Sequence, residues 1–129
     1  MRAYVGVTAQ EVKDFLESKI LDVSDVYAAT GVFMAHNNEL EEEEIEYTLS
    51  LVAAEDALEL VSATSGCACV LAFEVPDALI ESTHDMSITL RAPLTWKELE
   101  CCFEVSVDGE DLTWFAPQEI ADNISSWIA

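Results

Sequence analysis

The chain has 129 residues, half of them hydrophobic, and a formal net charge of −21 from 26 acids against five bases. That length predicts one domain with a self-sufficient core, and the apolar content excludes a disordered chain. The bases Arg2, Lys13, Lys19, Arg91 and Lys97 are scattered, so a nucleic-acid or anionic-membrane partner is excluded, since phosphate contact needs clustered cations. The acidity fits a basic protein partner or cations, and it also serves to keep a rather hydrophobic protein soluble. The start is a strand pattern with no basic region ahead of an apolar stretch, so no signal peptide is expected. No apolar run approaches the ~20 residues that span a bilayer. The expectation is a cytoplasmic protein with four reduced cysteines.

Residues 2–7 alternate, with Ala3, Val5 and Val7 on one side and Tyr4 on the other, which predicts a first strand. Thr8-Ala9-Gln10-Glu11 has the form of a capping box. It opens a short helix with Val12, Phe15 and Leu16 inward, ending near Ser18. Residues 25–30 form a second predicted strand, with Val26 and Ala28 alternating against Tyr27 and Ala29. A parallel pairing with the first strand would require a right-handed crossover. Residues 31–36 read as a helical turn, broken by Asn37 and Asn38.

Residues 38–66 predict one long acidic helix. Asn38 is placed to cap it, answered by Glu41, and the glutamates at 39 and 41–44 meet the positive end of the helix dipole. Tyr47, Leu51, Ala54, Leu58 and Val61 recur at steps of four and three and predict the inward face. Ile45, Leu49 and Val52 widen it, Glu46, Glu55 and Glu59 fall off it, and Gly66 follows as a closing residue. Such a helix is roughly 35–40 Å long, so other elements must pack along it.

Residues 67–73 are apolar on both faces, which marks a central strand, and Pro76-Asp77 stops it. Residues 87–91 alternate with Ile88 and Leu90 inward. Residues 99–107 predict a half-buried strand with Leu99, Cys101, Phe103, Val105 and Val107 inward, and Glu100, Cys102, Glu104 and Ser106 outward. Asp108-Gly109 is a turn signal, and residues 112–115 return as a hairpin partner. Pro117 suits the first turn of a last helix whose Ile120, Ile124 and Trp127 share a face. The order predicts an α+β fold: a mostly antiparallel sheet of about five or six strands packed against the long acidic helix and two shorter helices.

Catalytic and metal motifs are weak. The four thiols have the wrong spacing for zinc, and adjacent Cys101 and Cys102 point to opposite faces of a strand, so a core role is favoured. His36 beside Glu39 and Glu43 offers a metal-binding reading, against which consecutive helical glutamates fan apart instead of converging. No nucleophile elbow, phosphate loop or cofactor motif is present.

Met1-Arg2-Ala3-Tyr4-Val5, Glu43-Glu44-Ile45-Glu46-Tyr47, Val75-Pro76-Asp77-Ala78 and Trp114-Phe115-Ala116-Pro117-Gln118-Glu119-Ile120 together resemble an actinobacterial family of small proteins of unknown function. The chain departs from that pattern between Val107 and Leu112, where relatives carry an extra alanine-rich helical segment. The resemblance implies a cytoplasmic bacterial protein and no particular activity. It directs attention to Glu43, Glu46, Tyr47, Trp114, Gln118 and Glu119 as a candidate binding surface where the long helix meets the last strand and helix. The expected function is a non-enzymatic accessory protein, monomer or homodimer, that docks on a basic protein partner. The alternatives are a small-molecule-binding domain or small enzyme with a pocket near Tyr47, Trp114 and Glu119, or a metal-binding protein.

Overall fold

The computed structural model describes residues 1–62 and 66–129. In chain order its elements are β1 (Arg2–Thr8), α1 (Ala9–Ser18), β2 (Ile20–Leu21), β3 (Asp25–Ala28), α2 (Gly31–His36) and α3 (Glu42–Val61). They continue with β4 (Ala68–Glu74), β5 (Ile80–Thr83), β6 (Ser87–Leu90), β7 (Leu94–Thr95), β8 (Leu99–Val105), β9 (Leu112–Phe115) and α4 (Ile120–Trp127). Seven strands form one sheet in the order β5-β6-β3-β1-β4-β8-β9, and β2 pairs with β7 in a separate ribbon. Among the described residues every pairing is antiparallel, including β1 with β3, so no parallel crossover arises there.

The α+β architecture and antiparallel sheet are as the sequence predicts, with seven strands where five or six are expected. The additional member is β5, whose residues are largely exposed and carry no alternating pattern. It is an edge strand, held by β6 alone.

The sheet is covered on both faces. Ala3 and Val7 of β1, Cys69, Leu71 and Phe73 of β4 and Cys102 of β8 face a core closed by α1 and α4. Tyr4, Ala68, Val70, Ala72, Cys101 and Val105 face α3. The doubly apolar β4 is therefore central, buried along all but its last residue. At the start of α1 the capping box closes as expected: the Glu11 amide donates to Thr8 Oγ1 at 3.1 Å, and the Thr8 amide to Glu11 Oε1 at 3.0 Å. In α4, Ile120, Ile124 and Trp127 are buried.

The long helix departs from expectation in three ways. It begins at Glu42, because Asn37 and Leu40 close a turn ahead of it and Glu41 occupies the capping position. The Glu41 amide donates to Glu44 Oε1 at 3.2 Å, so Asn38 does not cap it. It ends at Val61; residues 63–65 of the expected span lie outside the described residues. Its buried face is Ile45, Leu49, Ser50, Ala53, Ala54 and Ala57. Ala54 and the widening residues Ile45 and Leu49 lie inward as expected, while the centre of the face is turned by roughly 100° from the Tyr47–Leu51–Ala54–Leu58–Val61 stripe at about 100° per residue, which leaves Tyr47 exposed. The cause is close approach. Gly6 of β1 lies under Ala53 and Ala57, and only small side chains fit there.

Three further corrections concern β8 and its end. A bulge at Glu100, where Ala72 pairs with Cys101 but Phe73 pairs with Leu99, sends Leu99 to the α1 side. Cys102, expected outward, is buried, because the sheet has no solvated face there. Val107, expected inward, lies beyond the strand and is 98% exposed.

Candidate functional site

The first turns of α3 and the start of β1 frame a groove of about 540 Å3. Its outer wall is α2 and the segment leading to α3. That wall is tied down: Thr30 Oγ1 accepts the Phe33 amide at 3.2 Å and donates to the Asp85 carbonyl at 2.7 Å. Asn37 Nδ2 donates to the Phe33 carbonyl at 2.9 Å, and the Leu40 amide to the Asn37 carbonyl at 3.0 Å. Met34, Leu40, Ile45 and Leu49 supply apolar lining, and Arg2, Tyr4, Glu42 and Glu46 supply polar groups.

Strand alternation places Arg2 and Tyr4 on the α3 face of β1. Arg2 is half-buried and its guanidinium is poorly matched. Nη2 reaches Cys101 Sγ at 3.8 Å, the charge lies 6.0 Å from the Tyr4 ring centre, and the buried Nε has no hydrogen-bond partner among the described residues. Among the described residues, no carboxylate oxygen lies within 4.0 Å of it. Burial lowers the Arg2 pKa, but Tyr4, Cys101 and Glu46 outweigh it and the net shift is upward. Burial raises the Tyr4 hydroxyl to about 12, with Glu46 adding to the effect and Arg2 opposing it.

Arg2, Tyr4 and Glu46 also border a shallower cleft of about 290 Å3, completed by Glu43, Tyr47, Ser50, Phe103 and Leu112. Tyr47 is 55% exposed on α3. Trp114 is 56% exposed on β9, paired across the ladder with Phe103, which lines the cleft. Burial pushes the Cys101 thiol up, partly offset by Arg2 and by the Trp114 indole. Ser50 Oγ donates to the Tyr47 carbonyl at 2.7 Å and so is committed to the helix. β9 is the last strand of the sheet, so its outer backbone edge is unpaired by the sheet.

Four of the six residues that sequence resemblance singled out therefore gather here: Glu43, Glu46 and Tyr47 line the cleft, and Trp114 stands beside it. Gln118 and Glu119 are placed elsewhere. They precede α4, whose core residues Ile120 and Trp127 pack on the opposite face of the sheet. Glu119 is occupied there: its Oε1 accepts the Ala116 amide at 2.8 Å, and its carbonyl accepts from Asn123 Nδ2 at 2.8 Å. A pocket shared by Tyr47, Trp114 and Glu119 is thus replaced by one built on Arg2, Tyr4 and Glu46. Arg2 and Tyr4 were legible only as a pattern: a charged and an aromatic residue sharing one face of a strand.

A further open depression, about 720 Å3, lies over Gly6, where the Tyr27 hydroxyl donates to Asp56 Oδ2. That bond, followed by burial, raises Tyr27 to about 12. Cys69, Cys101 and Cys102 are buried and Cys67 is half-buried; all four are free. His36 and His84 are exposed. Among the described residues no three of His, Cys, Asp or Glu gather as metal ligands, and no helix is long and apolar enough to cross a membrane.

The structure thus defines an antiparallel α+β fold with a groove against its long helix that Arg2, Tyr4 and Glu46 help to line. The chain belongs to a family of unknown function, DUF6912, matched over residues 1–106. The match takes in β1 through β8 and both grooves' α3 walls, and leaves β9 and α4 outside it. No curated protein and no solved structure matches the chain.

Proposed function

We propose that this protein is a non-enzymatic accessory module that docks a basic protein partner on the α3–β9 face. The observation that carries this reading is the pair Tyr47 and Trp114, both more than half exposed beside a cleft that also presents Glu43 and Glu46. Solvent-facing tyrosine and tryptophan at the centre of an acidic field are the residue types that anchor interfaces. Glu43 and Glu46 are free of ion pairs among the described residues, so their charge is available to a cationic segment. Net charge of −21 makes the partner basic. The open β9 edge gives an extended segment backbone groups to pair with. The cleft's one serine is bonded to the helix backbone, which favours binding over catalysis. The reading places the protein in the cytoplasm, where free thiols persist, and its resemblance suggests an actinobacterial source.

The test is a titration of the protein with lysine- and arginine-rich peptides containing alternating apolar residues, followed by tryptophan fluorescence at low and high salt. Binding is expected to weaken with salt. Trp114→Ala and Tyr47→Ala should each weaken it by about tenfold or more. Binding that ignores both salt and Trp114 overturns the reading.

A further inference from the structure

The groove between β1, α2 and α3 carries a second, independent inference. Arg2 and Glu46 both line it, they carry opposite charge, and they form no ion pair with each other. Each would ordinarily be expected to find a partner. A half-buried guanidinium without a carboxylate partner is only partly compensated, and among the described residues no ion pair neutralises Arg2. With 26 acids in the chain, a carboxylate for Arg2 was easily supplied, yet its side-chain partners are the Cys101 thiol, 3.8 Å from Nη2, and the Tyr4 hydroxyl.

The charges select the ligand. A simple anion would meet Arg2 but would be repelled by Glu42 and Glu46 on the same wall. A simple cation would meet the glutamates but lie against the guanidinium. A molecule bearing both a carboxylate and an ammonium satisfies both, and the planar guanidinium matches a carboxylate with two parallel hydrogen bonds. Met34, Leu40, Ile45 and Leu49 provide an apolar wall for a side chain. The volume of about 540 Å3 lies within the range of small-ligand sites.

We propose that this groove binds a small zwitterion with an apolar side chain, an α-amino acid or a dipeptide, with its carboxylate on Arg2 and its ammonium on Glu46. The proposal does not rest on the protein-docking reading, since the groove is built by β1, α2 and α3 without β9 or Trp114.

Isothermal titration of the full chain with leucine, phenylalanine and leucyl-leucine tests it, beside the amine lacking the carboxylate and the acid lacking the ammonium. The expected result is saturable binding of at least one zwitterion, with each singly charged analogue at least about tenfold weaker. The free amino acid and the dipeptide are distinguished by which binds tighter. Arg2→Gln should erase the preference over the amine, and Glu46→Gln the preference over the acid. Glu46 lies on the rim of α3 and makes no hydrogen bond among the described residues, so Glu46→Gln should fold even if Arg2→Gln does not. No binding by any zwitterion overturns the proposal. So does an acid or amine that binds as well as the zwitterion, or a Glu46→Gln protein with unchanged selectivity.

Discussion

Gly6 lies directly beneath Ala53: a Cβ added to Gly6 would press into the Ala53 carbonyl oxygen and stand 2.8 Å from the Ala57 amide nitrogen. Both obstacles are backbone, so neither can rotate away. α3 rests on the sheet at this point through hydrogen and methyl groups alone, which is why the second half of its buried face is Ala53, Ala54 and Ala57, after Ile45 and Leu49 in the first. Gly6→Ala is expected to lift the helix and destabilise the fold by about 3 kcal/mol, in the upper range for overpacking. Gly6→Val should prevent folding. Urea denaturation checks this; a Gly6→Ala midpoint equal to that of the parent would refute the close approach.

Tyr27 joins β3 to α3 by donating its hydroxyl to Asp56. Tyr27→Phe should cost about 1–2 kcal/mol, since the hydrogen bond is lost and the Asp56 carboxylate can recover water. Tyr27 and Tyr4 both have their pKa raised from the ordinary 10.0 to about 12. The folded state therefore favours the neutral phenols. Their contribution to stability is complete below pH 10, declines as pH rises from 10 to 12, and is gone above 12. Denaturation measured across that window should show stability falling, and Tyr27→Phe should flatten the slope. An equal slope in parent and variant would remove Tyr27 from the account.

Thiol reactivity reports the sheet's double cover. Cys69, Cys101 and Cys102 are buried on two opposite faces, and Cys67 is half-buried. The hydrogen bond to Cys69, then burial, raises the Cys102 pKa well above 9.0, and burial raises Cys67 and Cys101. A thiol reagent at neutral pH should modify at most one cysteine in the native protein, slowly, and all four in denaturant. Rapid native modification of two or more would show that one face of the sheet is open.

Val107 provides the opposite test. It is apolar, alternates in phase with Val105, and yet is 98% exposed. Val107→Ser should change stability by no more than about 0.5 kcal/mol, whereas Val105→Ser, in the core beneath α3, should cost about 2 kcal/mol or more. Comparable losses at both positions would mean that β8 runs on past Val105.

The sequence by itself determined the class of fold, the central β4, the capping box at Thr8, and the inward face of α4. Each depends on a local rule: two-sided hydrophobicity, a Thr-x-x-Glu spacing, or a repeat every three to four residues. Which face of α3 is buried was not local. Leucines and alanines occur all round that helix, and the rotation that turns Ala53 and Ala57 inward was set by Gly6, 47 residues before Ala53, which admits only small side chains above it. The same holds for β8, where the bulge at Glu100 and the cover on both sides redirected Leu99 and Cys102. The candidate site divides likewise. Glu46 and Tyr47 could be named from their segment, but only the tertiary structure set Arg2 and Tyr4 against them, because antiparallel packing brings the first strand of the chain beneath the start of its third helix. Gln118 and Glu119, close to Trp114 in sequence, were carried to the other face of the sheet, because the chain turns there to bury Ile120 and Trp127 under α1.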